Sequence, residues 1–219
     1  MRRYLPFAII AAVFCIATIA GVGLYQSRAQ APVKTGKLVF GQPGANPPHM
    51  HGSRKAPVAL EEFGDFECMP CSLFWPVLKQ AQKEYGDRLS VTFREYPLTK
   101  HTHALDAARA AEAAGLQGRF WEMHDALYGD RLLWLGAGDT RAALILCASH
   151  VEIDLERFKK DLDSEEVSKR IAADRERVAS LELDRTPAVF VNGDRLTTAP
   201  ITIEILRAAI DDALGVKPK

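Results

Sequence analysis

Val58-Ala59-Leu60-Glu61-Glu62-Phe63-Gly64-Asp65-Phe66-Glu67-Cys68-Met69-Pro70-Cys71 places two cysteines between a strand and a helix. Residues 58–63 read as a buried strand ended by Gly64. Beyond the cysteines, Leu73, Val77, Leu78, Ala81 and Tyr85 keep helical spacing over 72–85, and Gly86 occupies the C′ position. Residues 89–95 (LSVTFRE) alternate as a second strand. Strand, helix and strand in this order imply a parallel pair with the helix packed on one sheet face.

Downstream, helical patterns are expected over 103–114, 118–128, 140–149, 155–162 and 165–181. Ala188-Val189-Phe190-Val191 returns to sheet, and Asn192-Gly193 is a strong hairpin signal with Arg195-Leu196-Thr197 as its return strand. Residues 201–214 close as an amphipathic helix. The helical block between the two strand pairs, about eighty residues, exceeds any ordinary loop and is expected to be an inserted subdomain.

Upstream, Arg2 and Arg3 precede an uncharged run from Tyr4 to Gln26, long enough at helical rise to cross a bilayer core of about 30 Å. Ala29-Gln30-Ala31 offers a peptidase triplet, but Pro32 beside the scissile bond hinders cleavage, so an uncleaved anchor is the reading and a cleaved signal the alternative. The basic tip stays in the cytoplasm and sends the rest across; Arg28, Lys34 and Lys37 oppose that orientation. Residues 27–55 carry four prolines and four glycines, the composition of a tether, with one short edge strand expected at Lys37–Phe40.

Of the 219 residues, 47% are hydrophobic and 26% charged, as in a chain with a packed core and a solvated surface. No acid precedes Glu61, so the chain from residue 56 onward holds 21 basic against 28 acidic residues. That negative balance argues against a nucleic-acid partner. Four cysteines (Cys15, Cys68, Cys71 and Cys147) include one closely spaced pair and so do not form a dense disulfide framework.

Two thiols at i and i+3 opening a helix suit disulfide chemistry. Unpaired backbone N–H groups and the helix dipole favour an anion at the first, Cys68, which makes it both nucleophile and leaving group. Cys71, one turn in, is expected to be more buried and to resolve a mixed disulfide. Pro70 falls where a missing N–H costs nothing. Glu62 either sits buried beneath the pair, with a raised pKa suited to taking the Cys71 proton, or reaches solvent at the strand end. Glu67 beside the nucleophile opposes thiolate formation unless it turns to water. Thr186-Pro187 precedes the third strand, where proline is tolerated because it has no ladder hydrogen to give.

With these residues in place, 57–214 resemble a DsbA-like thioredoxin-fold protein of the membrane-anchored bacterial type. The matching segments are Glu62–Cys71, Arg94-Glu95-Tyr96-Pro97-Leu98, Phe120-Trp121-Glu122-Met123-His124-Asp125 and Thr186–Gly193. The resemblance implies an α/β thioredoxin-like fold with an inserted helical subdomain, preceded by a single transmembrane or signal helix. The expected organisation is a cytoplasmic tip (1–3), an anchor or signal segment (4–26), a flexible linker (27–55), a thioredoxin-like domain (56–98 with 165–216) and a helical insertion (99–164). It implies a cis Pro187, Glu62 at the position of the buried acid of thioredoxins, and Met69, Pro70, Thr186 and Pro187 at the client's side of the site. The expected activity is thiol–disulfide exchange on extracytoplasmic proteins, without a cofactor. The expected location is the outer side of the cytoplasmic membrane, with a membrane redox partner recycling the pair. Oxidising members carry Pro-His between their cysteines; here Met-Pro stands there, so a less oxidising pair is expected.

Two other readings compete: a copper- or zinc-delivery protein using the same thiols, and a client-binding chaperone. His49-Met50-His51 and His101-Thr102-His103 would supply metal ligands, but they read as tether and helix-start residues. His124 reads as a half-buried packing residue and Cys147 as a core residue.

Overall fold

The computed structural model describes residues 43–216. The expected anchor at 4–26 and the strand at Lys37–Phe40 lie outside the described residues. Among those described, no helix is long and apolar enough to cross a membrane.

Strands β1 (His49–His51), β2 (Val58–Gly64), β3 (Leu89–Glu95), β4 (Ala188–Val191) and β5 (Asp194–Arg195) form one sheet in the order β1-β3-β2-β4-β5. β2 and β3 are parallel, joined through α1 (Met69–Tyr85); the other pairings are antiparallel. Between β3 and β4 run α2 (Ala104–Gly115), α3 (Phe120–Gly129), α4 (Arg131–Leu135), α5 (Thr140–Ser149), α6 (Leu155–Asp161) and α7 (Glu165–Ser180), and α8 (Ile203–Ala213) ends the domain. This is the thioredoxin-like α/β architecture with a helical insertion that the sequence implied.

Several helix starts are written in single residues. Asp139, Asp154 and Ser164 each accept backbone N–H bonds at the N-caps of α5, α6 and α7. Asn192 and Gly193 both have positive φ, the backbone that a two-residue hairpin of the right twist needs. The return strand is Asp194–Arg195, earlier than the expected 195–197.

One expectation needs correction. The linker read over 27–55 extends too far, because His49–His51 pairs with Val91–Phe93 as an edge strand. Three residues carry no readable periodicity; side-chain contacts hold them. The His49 ring stacks on Phe120 at 3.8 Å, and its Nε2 lies 2.7 Å from the Glu112 carboxylate. The His51 ring meets Trp121 edge-on at 5.6 Å.

Alternation along β2 sorts the two sheet faces. Phe63 packs with Val178, Leu183, Ala188 and Phe190 on the α7 side. On that face Glu61 accepts from Arg94 (2.8 Å) and Arg177 (2.7 Å), and Arg94 also reaches Asp174 at 3.1 Å. Glu62 stands on the opposite face, in register with Phe93, whose ring joins Phe66, Phe120 and His124. The largest core cluster lies here, tying the insertion to the cysteine segment through Phe66, Cys71, Met123, Leu127 and Trp134. His124, expected to be half-buried, is 1% exposed, and Cys147 is buried in the same cluster.

Gly64 permits this close approach. A Cβ there would stand 2.4 Å from the Phe93 ring and 3.3 Å from a Glu62 carboxylate oxygen. Gly64→Ala should therefore overpack the core and cost about 1–3 kcal/mol, read as a lower thermal midpoint.

Candidate active site

Cys68 is the N-cap residue of α1, with extended backbone (φ −69°, ψ 122°). Its N–H donates to the Asp65 carbonyl at 3.1 Å, and its carbonyl accepts from Ser72 N–H at 3.1 Å, so the turn that presents the sulfur is bonded at both ends. Cys68 is 5% exposed, whereas Cys71, on the inner side of the helix, is fully buried. The Cys68 thiol lies 3.6 Å from the Thr186 carbonyl oxygen, and the Thr186–Pro187 bond is cis. Residues 118 apart in sequence thus meet at one sulfur.

The two thiols have opposite acidities. Hydrogen bonding from the Cys71 side chain draws Cys68 down from the ordinary value of 9.0 to about 6, overcoming its partial desolvation, with Thr186 and the Cys71 backbone adding to the effect and Asp65 opposing it. Burial pushes Cys71 well up, and its hydrogen bond to Cys68 and the charges of Glu62 and Cys68 push the same way. At neutral pH the outer sulfur is a thiolate and the inner one a thiol, the division of labour that exchange requires.

Glu62 is 1% exposed, and neither carboxylate oxygen has a hydrogen-bond partner among the described residues. Burial first, then the Cys68 charge, raise its pKa from 4.5 to about 8. The strand-end reading in which it reaches solvent is excluded. The Glu67 carboxylate accepts the His103 N–H at 2.7 Å. Its carbonyl accepts from Arg131, a residue of α4, which the sequence reading did not separate as a helix.

A groove of about 700 Å³ runs beside the site, lined by Pro70, Leu73, Phe74, Thr186, Pro187 and Leu196 among others. Met69, expected at the client side, is half exposed but does not line this groove. Leu73 is also largely exposed. Among the described residues no three His, Cys, Asp or Glu side chains converge to hold a metal ion.

The residues that sequence reasoning missed are those brought in by the tertiary fold. Asp65 is 1% exposed; its carboxylate accepts from Glu67 N–H (2.8 Å), Leu98 N–H (2.9 Å) and His101 Nδ1 (2.8 Å). The Tyr128 hydroxyl donates to the Asp65 carbonyl at 3.5 Å, and burial raises its pKa. The signal at hand was His101-Thr102-His103, noted for metal rather than for a carboxylate 36 residues earlier.

The family described as thioredoxin matches residues 45–212, well over half of the chain. The chain belongs to the thioredoxin family. Among solved structures, this thioredoxin-family chain is similar to BdbD from Bacillus subtilis (TM-score 0.67, 24% identity, 82% of this chain and 100% of that one). It is likewise similar to a thioredoxin-like oxidoreductase from Silicibacter pomeroyi (TM-score 0.66, 24% identity, 78% and 94% covered) and to alpha-DsbA1 from Wolbachia pipientis (TM-score 0.67, 19% identity, 78% and 92% covered). These likenesses establish the DsbA-like fold. Among curated relatives, it is 39% identical over 152 residues to the Na(+)/H(+) antiporter NhaA 1 of Mycolicibacterium gilvum, covering 67% of this chain and 24% of that protein. With the protein of the same name from Salinispora arenicola it is 38% identical over 169 residues, covering 76% and 25%. The thioredoxin-family chain thus spans about a quarter of the length of the curated relatives it matches.

Proposed function

We propose that the protein is a thiol–disulfide oxidoreductase acting on protein cysteines outside the cytoplasm. The carrying observation is the Cys68 thiol at the tip of α1, 3.6 Å from the Thr186 carbonyl, with Cys71 buried one turn behind it, an arrangement that favours a thiolate at the first and a thiol at the second. In the reducing direction the Cys68 thiolate attacks a client disulfide, forming one S–S bond and expelling the client's other sulfur as a thiolate. Cys71 then attacks the Cys68 sulfur, its proton passing to Glu62, and the second client thiolate leaves. Two electrons move to the client, and Cys68–Cys71 becomes a disulfide. In the oxidising direction every bond change reverses, and a membrane redox partner returns the pair to its working state.

Pro70, Leu73, Thr186 and Pro187 border the groove that takes the client segment. The N-terminal run at 4–26 holds the domain at the outer membrane face, or is cleaved to release it. The relatives named as Na(+)/H(+) antiporters carry the matching segment as about a quarter of their length, which favours a membrane transporter as neighbour or client.

The absence of a cation between the cysteines favours a pair less oxidising than members with Pro-His. Equilibration with glutathione should give a reduction potential below that of the strong oxidants; a value near about −120 mV would overturn this direction.

A further inference from the structure

Two leucines stand exposed beside the nucleophile's turn. In the five-residue α4, Arg131, Trp134 and Leu135 share one face at i, i+3 and i+4, which leaves Leu132 and Leu133 on the other. That rotation is fixed from both sides. Trp134 is fully buried and its Nε1 donates to the Leu127 carbonyl at 2.8 Å, while Arg131 donates to the carbonyl of Glu67, the residue before Cys68. Leu132 and Leu133 are consequently 77% and 71% exposed. Met69, the residue after Cys68, is half exposed, and none of the three lines the Pro187 groove. Apolar side chains exposed together, rather than scattered singly, mark a contact surface.

We propose that Leu132, Leu133 and Met69 form a second client-contact surface, which takes apolar residues of an extended polypeptide next to the cysteine that exchanges with Cys68. The tie to Glu67 sets α4 within one arginine side chain of the nucleophile's own peptide, so a chain delivering its sulfur to Cys68 passes these leucines. Cys68 is itself only 5% exposed, so a partner must press against its surroundings to reach the sulfur. A second copy of this chain or a bilayer seated on α4 would stand in the path to Cys68, whereas a client covers the leucines and meets the sulfur together. The proposal rests on the oxidoreductase reading and narrows its substrates to cysteines with apolar neighbours.

The test combines Leu132→Ser with Leu133→Ser in the full chain, with Leu132→Met and Leu133→Met together as the conservative control. Both side chains are exposed, so neither substitution removes a core contact. Three disulfides serve as probes: a peptide disulfide flanked by leucine and phenylalanine, the same peptide with serine in those places, and glutathione disulfide. The serine variant should raise KM for the apolar peptide about tenfold with kcat within about twofold, and leave the other two probes within about twofold of the parent. The methionine variant should match the parent on all three within about twofold. An unchanged KM for the apolar peptide would overturn the proposal. So would an equal loss on glutathione disulfide, because that would mean the Cys68 turn had been disturbed. A parent dimer that comes apart in the serine variant would give the leucines to a second copy, and binding to phosphatidylcholine vesicles lost in that variant would give them to a lipid surface; either result overturns the proposal. A parent chain that never exchanges with glutathione would instead overturn the oxidoreductase reading. Fluorescence anisotropy of the apolar peptide, with serine for its cysteine, would then still report whether the leucines hold it.

Discussion

Cys68→Ser should reduce disulfide exchange to background, a loss of at least about 10³-fold in insulin reduction or client oxidation. A serine hydroxyl neither ionises near neutral pH nor forms an S–S bond, so the covalent intermediate disappears. The fold should persist, since the hydroxyl can still donate to the Thr186 carbonyl and the residue lies at the rim of the core. Cys71→Ser is the informative partner. It keeps the nucleophile but lacks the resolving sulfur, so clients should accumulate as mixed disulfides visible on non-reducing gels. Exchange that survives in Cys68→Ser would refute the assignment, and a metal- or chaperone-based reading would take its place.

Glu62→Gln should produce the second large effect, through two routes. Glu62 titrates near 8 in the folded reduced chain, against 4.5 when unfolded. Below pH 4.5 both states hold the proton and the group adds no difference. Between 4.5 and 8 the unfolded state releases it while the folded state does not, so stability falls as pH rises and levels off above 8. The amide cannot ionise, so that slope should vanish. The stability of Glu62→Gln relative to the parent should improve from pH 5 to pH 9 by on the order of 3–5 kcal/mol, measured by denaturant unfolding of the reduced proteins. Catalytically, Glu62 accepts the Cys71 proton only in its ionised form, which becomes the main form near pH 8, so its loss should slow resolution of the mixed disulfide by about 10²-fold near pH 8 and by less near pH 7. Parallel pH–stability curves for the two proteins would show that folding leaves the Glu62 carboxyl unshifted and would overturn its raised acidity constant.

How much of this was legible beforehand depends on the range of each interaction. The strand before the cysteines, the helix after them and the Asn192-Gly193 hairpin turn are decided by contacts a few residues apart. The span 140–149 is one such case, read from spacing and found as α5. Where an element is too short to show a period, reading failed: β1 has three residues and α4 has five, and both are held in place by distant partners.

The amino-acid order alone therefore determined the α/β framework, the inserted helical block and the Cys68–Cys71 pair, because local periodicity and an i, i+3 spacing carry that information. Only the tertiary structure decided whether Glu62 faces core or water, what surrounds Asp65, and which carbonyl meets the nucleophile. His101 reaches Asp65 across 36 residues, Arg131 reaches Glu67 across 64 and Thr186 reaches Cys68 across 118. Periodicity tells which face of a strand or helix is buried. Burial charges and hydrogen bonds depend on what that face meets, and this is settled when distant segments pack.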